Sequence, residues 1–209
     1  MEVTAQLFRA LANQGRLRIL RVLTVLGETR VRALVRATSR VQGRVSADLR
    51  ILAMSGLVWR RRSGPAIHYR LADTPTNALT HDVVSLLRRV FGRIPDGEPG
   101  QVAMADQQES GDFSDAAMLA YFTAFTFPRR LQIVQHLSEG GRATMEGLVE
   151  ELSMSPQACS RHLLNLTERK IVSVTSAGRK AMYELMMPGE PAWRRLLASV
   201  IRQLSKSSE

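Results

Sequence analysis

A mainly α fold with small β-hairpins, laid out as two tandem copies of one domain, is what this 209-residue sequence predicts. Three observations lead there. First, shifting the chain by 114 positions lays residues 17–71 on 131–185 without a gap, and 14 of those 55 positions carry the same residue. Unrelated sequences of ordinary composition would share about three or four. Second, apolar residues recur at helical spacing through most of each half, and each half then carries two alternating runs about a glycine. Third, 29 Lys and Arg against 19 Asp and Glu leave a net charge of +10 and point to a polyanionic partner, nucleic acid before an anionic membrane surface.

The first 92 residues read as four helices, a hairpin and a helix. Residues 3–12 form a short amphipathic helix. Asn13 is placed to cap the next one, where Leu17, Leu20, Leu23 and Val25 or Leu26 repeat at helical period and Gly27 stops the run. Residues 31–37 and 42–54 make two more helices about the turn Thr38-Ser39-Arg40. Two alternating runs within residues 57–71 flank Ser63-Gly64-Pro65-Ala66, a hairpin signal, with Ile67, Tyr69 and Leu71 on one face and His68 and Arg70 on the other. Residues 76–92 form the last helix of the copy.

Residues 93–113 lose the apolar period and fill with Gly, Pro, Gln and acids, the composition of a flexible linker. Three segments follow: domain one at 1–92, the linker at 93–113 and domain two at 114–209. Charge is divided unequally, with net +11 in the first, −4 in the linker and +3 in the last.

In the second copy, Ser153-Met-Ser-Pro-Gln-Ala-Cys-Ser-Arg-His-Leu-Leu-Asn-Leu166 reads as a turn and a short helix. Ser155 is the N-cap and Pro156 fits the first helical position. Cys159, Leu163 and Leu166 share one face. Gln157, Ser160 and Arg161 point the other way, so the free face is expected to carry donors and no apolar bulk. A short helix of this kind suits a major groove. The run Ser160-Arg-His-Leu163, with Ser153 and Ser155 ahead of it, resembles the recognition-helix signature of ArsR-type winged helix-turn-helix repressors of bacteria. The opening Leu-Ala-Asn-Gln-Gly-Arg-Leu-Arg-Ile-Leu at 11–20 and the arginine-rich hairpin resemble the same family's first signature and its wing.

The resemblance implies two tandem winged helix-turn-helix domains and a double-stranded DNA partner. Ser155, Gln157, Ser160, Arg161 and His162 are the candidate contacts in copy two, with Arg179 and Lys180 at its wing tip. Copy one departs from the pattern. Val41 replaces the capping serine, Gln42 the proline and Asp48 the histidine, while Gly43 follows at a helix start already short of a cap. Asp48 would repel phosphate unless turned inward or paired. Arg40, Gln42, Arg44, Ser46, Ala47 and Arg50, with Arg60, Arg61 and Arg62 in the wing, are its candidate DNA contacts. Copy one is thus expected to supply electrostatic grip and copy two more of the base reading.

Several functions are disfavoured. The family's metal motif falls on the third helix of each copy, where Thr29-Arg-Val-Arg-Ala-Leu-Val35 and Thr144-Met-Glu-Gly-Leu-Val149 hold neither Cys nor His. His81 with Asp82, Cys159 with His162, and His136 with Glu139 each provide two ligands, which do not make a site. No metal and no cofactor is expected. Cys159 is the one cysteine. A helix N-terminus could lower its pKa and make it a redox switch, yet its inward position reads better as core. No motif for catalysis appears, so the chain does not read as an enzyme. No apolar stretch reaches a membrane span and no signal peptide is evident, so a cytoplasmic protein is expected.

The family pairs through its first and last helices. A linker of this length reaches about 25 Å and holds two copies near millimolar effective concentration. An intramolecular pseudo-dimer is expected, with a homodimer of chains as the competitor. The function expected is a sequence-specific transcriptional regulator, a repressor, reading an imperfect inverted repeat, with any small-molecule or redox effector unidentified. The alternative is a winged-helix protein-interaction module, or a protein that coats DNA without sequence choice.

Overall fold

The computed structural model describes residues 1–75, 77–92, 114–177 and 180–206. The linker expected at 93–113 lies outside the described residues. By contact the chain forms two compact units, Ala10–Leu119 and Met1–Arg9 with Ala120–Glu209.

The unit of residues 10–119 is built around helix α2 (Gln14–Leu26), which packs on α3 (Val31–Thr38), α4 (Gln42–Met54) and α5 (Ala78–Phe91). Asn13 caps α2 as its spacing predicts, its side chain accepting the Arg16 N–H at 3.1 Å. Gly27, at φ 69, ends the helix in a backbone region that costs other residues energy. Leu17, Leu20 and Leu23 are buried, whereas Leu26 is exposed. With Leu34, Val45, Leu49 and Leu52 they form the core under α4. A three-stranded antiparallel sheet closes the unit, in the order β1 (Thr29–Arg30), β3 (Ala66–Leu71), β2 (Val58–Ser63). The β2–β3 register runs from Val58 opposite Leu71 to Ser63 opposite Ala66. Helix α6 (Asp115–Ala124) begins in this unit, where the Asp115 carboxylate accepts from Arg21 at 2.6 Å.

The other unit repeats the layout with α7 (Pro128–Gly140), β4 (Arg142–Thr144), α8 (Met145–Glu151), α9 (Pro156–Glu168), β5 (Val172–Ala177), β6 (Lys180–Leu185) and α10 (Pro191–Ser205). Moved by 114 positions, α2, α4, β2 and β3 land on α7, α9, β5 and β6 with the same bounds. The strand register moves with them, Val58 opposite Leu71 becoming Val172 opposite Leu185. Positive φ angles also recur as pairs: Gly27 and Gly141, Ser39 and Ser153, Gly56 and Lys170. Ser39 and Ser153 occupy the turn before α4 and before α9, so both turns use the same left-handed residue although neither is glycine.

One further element completes this second unit. Helix α1 (Glu2–Leu11) contributes Phe8, fully buried, whose ring lies 4.9 Å from Phe125 and 6.1 Å from Phe122. Arg9 Nε donates to the Thr126 carbonyl at 2.9 Å. Tyr121 stacks on Trp193 of α10 at 4.3 Å, and its hydroxyl donates to the Trp193 carbonyl at 3.2 Å. Burial pushes the Tyr121 pKa up, so it stays a neutral donor. The aromatic run at 121–127 is therefore mostly core, with Phe127 exposed at its end. Among the described residues, no helix is long and apolar enough to cross a membrane.

Candidate nucleic-acid interface

Helix α9 owes its position to three inward side chains and one cap. Cys159, Leu163 and Leu166 are buried, which turns Gln157, Ser160 and Arg161 outward. Ser155 accepts the Ala158 N–H through its hydroxyl at 3.3 Å, and Pro156 occupies the first turn without wasting a donor. The outer face is less uniformly polar than its sequence suggests. Leu164, one turn beyond Ser160, is 60% exposed, because 3.6 residues per turn brings it back to the face of Gln157 and Arg161.

Behind α9 sits a buried cation that the sequence reading missed. Arg130, 3% exposed, donates Nη2 to Thr126 Oγ1 at 2.9 Å and Nη1 to Asn165 Oδ1, and its guanidinium lies 4.6 Å from the Phe127 ring centre. Burial and then the charge of Arg169 lower its pKa to about 10, still high enough to keep it charged at neutral pH. Its available signal was Arg16, which stands 114 positions earlier, just outside the aligned block. His162 is half-buried beside this cation. Desolvation first, then Arg130, Arg161 and Arg129, hold its pKa below the ordinary value, so it is a neutral imidazole at physiological pH.

Cys159 lies inward, as its place on the buried stripe implies, and the redox alternative finds no exposed thiol. Cys159 is fully buried, and burial pushes its thiol pKa up. A thiol that resists ionisation and has no solvent access is a core residue.

The first half of the chain presents a different surface. Val41 makes no side-chain cap at the start of α4, as its sequence implies. Gln42, Arg44, Ser46, Ala47 and Arg50 are exposed, and so are Ile51 and Met54 on the same helix. Asp48 is 8% exposed and turned inward, where Arg40 Nη1 donates to it at 2.5 Å and Arg16 Nη1 at 3.4 Å.

The wing arginines do not form one patch. Arg60, Arg61 and Arg62 are all exposed, but the pleat sends Arg61 to the face opposite its two neighbours. Arg61 Nη2 there donates to Glu28 at 2.6 Å, and that hydrogen bond is the main reason the Glu28 carboxyl lies below its usual range. On the same face Arg70 stacks over Trp59, its cross-strand partner. In the second wing Lys180 is exposed, while Arg179 lies outside the described residues.

No group of three or more His, Cys, Asp or Glu able to hold a metal occurs among the described residues.

Comparison with known proteins places this geometry. The chain is 42% identical over 67 residues to the arsenical resistance operon repressor of Escherichia coli (strain K12), an alignment covering 32% of this chain and 57% of that protein. It thus spans little more than half the length of that relative. A solved structure, that of the AntR antimony-specific transcriptional repressor, is similar at 19% identity and a TM-score of 0.38, over 55% of this chain and 98% of that one. Residues 128–174 match the arsR family of bacterial regulatory proteins. The segment carrying α7, β4, α8, α9 and the start of β5 is therefore an ArsR-family helix-turn-helix domain.

Proposed function

We propose that the protein is a sequence-specific DNA-binding transcriptional regulator, a repressor, that reads an imperfect inverted repeat with two non-identical winged-helix copies. The observation that carries this reading is α9, a capped helix pinned by Cys159, Leu163 and Leu166 that presents Gln157, Ser160 and Arg161 to solvent inside the segment matching the family. Gln and Arg are the side chains that pair with adenine and guanine edges in bidentate fashion. Arg44, Arg50, Arg60 and Arg62 add phosphate contacts from copy one, and Lys180 from the second wing, so grip and reading are shared unequally. Ser155, Gln42, Ser46 and Ala47 flank these contacts on the two helices, and Arg179, which lies outside the described residues, stays a candidate from its sequence.

The domains run over 1–92 and 114–209, joined by a linker, and the copies pair within one chain as a pseudo-dimer. This is supported by the make-up of the unit that places Phe8 between Phe122 and Phe125: a first helix packed on the other copy's first helix is what family-type pairing requires. The arsenical response named for the relative is not carried over, since the single cysteine is buried in a helix core.

The test begins by selecting bound duplexes from a random pool. The selected and a scrambled duplex are then titrated at two salt concentrations. The reading requires the selected site to bind at least about a thousandfold tighter, and Arg161→Gln to lose about 1–3 kcal/mol of that discrimination at one base position. Equal affinities for both duplexes would replace it with sequence-blind coating. No binding to either would leave a protein-interaction module, which exposed Ile51, Met54 and Leu164 could serve.

A further inference from the structure

We infer that Asp48 is a positioning and specificity-determining residue: it locks Arg40 away from DNA and makes the turn before α4 a charge-pinned counterpart of the capped turn before α9. The inference rests on the DNA reading above.

The two turns have the same backbone. Ser39 and Ser153 are both left-handed, at φ 51 and 48, and the helices that follow have matching bounds. What holds them differs. In copy two, Ser155 caps α9 and Met154 buries its side chain in the turn. In copy one the capping position is Val41, whose side chain accepts nothing, and Arg40 stands where Met154 does. A long cation cannot replace a methionine in a packed turn unless its charge is met. Asp48, in the second turn of α4, meets it at 2.5 Å and also reaches Arg16 of α2 at 3.4 Å. One buried carboxylate therefore ties the helix-turn-helix turn, α4 and α2 together.

The neighbouring sequence makes room for this arrangement. The Arg40 guanidinium lies against the start of α2 so closely that a Cβ at Gly15 would overlap it. Arg40 thus occupies a seat that only glycine leaves open, directed at α2. Its charge is neutralised inside copy one and is not available to phosphate. In copy two the position of Asp48 is His162, neutral at physiological pH, and no carboxylate pairs with Arg130 among the described residues. The inward carboxylate is a property of the first reader alone. It subtracts one arginine from the DNA contacts that the composition of copy one promises.

Salt dependence separates this from a structural role. Each phosphate contact contributes about 0.9 to the slope of log K against log salt. Arg40→Gln is expected to leave that slope unchanged and to alter affinity for the selected duplex less than about twofold. Asp48→Asn is expected to steepen the slope by about one contact, and adding Arg40→Gln to it should abolish the gain. A purely structural carboxylate would give weaker binding in Asp48→Asn without a steeper slope, which overturns the inference. So does a slope lowered by about one unit in Arg40→Gln. Should Asp48→Asn fail to fold, nuclear magnetic resonance of the Arg40 Nε–H in the wild-type protein decides. A signal slow to exchange and unmoved by saturating DNA supports the lock, and one that shifts on binding refutes it. Wild-type protein that binds no duplex refutes the DNA reading, while the exchange measurement still reports on the lock itself.

Discussion

Asp48 and His162 stand 114 positions apart at the same place in α4 and α9, and their surroundings differ. Asp48 sits between two arginines and is paired with both. His162 is partly desolvated and stands near Arg130, Arg161 and Arg129, so it gives up its proton more readily than a free imidazole. The consequence for pH follows from linkage. With the folded pKa depressed below the ordinary 6.5, the unfolded chain binds a proton that the folded chain resists. Stability at this site is therefore full at neutral pH and falls as pH drops through the unfolded value. Between about pH 7 and 5, wild-type protein should lose more stability than His162→Gln in urea titrations. Equal losses in the two proteins would show that the imidazole is not the responsive group. The sequence around His162 shows only Arg161 of the causes of its lowered pKa; the burial and Arg130, which comes from α7, are set by the tertiary structure.

Helix ends and strand faces are where local sequence speaks most clearly. Ser155-Pro156 announces the start of α9, and the structure has the hydroxyl capping it. Val41-Gln42 announces a weak start for α4, and no cap forms. Ser155→Ala should cost about 1 kcal/mol and Val41→Ser should add a similar amount, both read from chemical denaturation. An unchanged midpoint in Val41→Ser would mean that the Asp48 ion pairs already hold the turn. The wing shows the limit of reading residues as a run. Arg60, Arg61 and Arg62 look like one basic patch in sequence, yet alternation gives Arg61 to the face that carries Glu28. Arg60→Gln with Arg62→Gln is expected to lower the salt slope of DNA binding by about two contacts, and Arg61→Gln by less than one. A loss equal for all three arginines would place them on DNA together. The donor face of α9 was legible too, except for Leu164, which helical geometry carries onto it.

At the scale of the molecule, the second unit depends on residues that begin the chain. Phe8 is fully buried against Phe122 and Phe125, more than a hundred positions away. Phe8→Ala should destabilise the unit containing 120–209 by about 3 kcal/mol or more, with a lowered Tm followed by Trp193 fluorescence. Retention of the wild-type Tm would remove α1 from that core. By itself the sequence determined the helices and hairpin of residues 1–92 and the start of α9 to within a residue or two, and the correspondence of the halves at a spacing of 114, but not the short strands β1 and β4. Those features come from periodicity, caps and turn residues, which act over a few positions and can be read one window at a time. The tertiary structure alone decided where Asp48 finds its cations, which wing arginine is paired, and which helices complete the second core. These outcomes depend on desolvation and on contacts between residues far apart in the chain, and a local pattern carries no record of either.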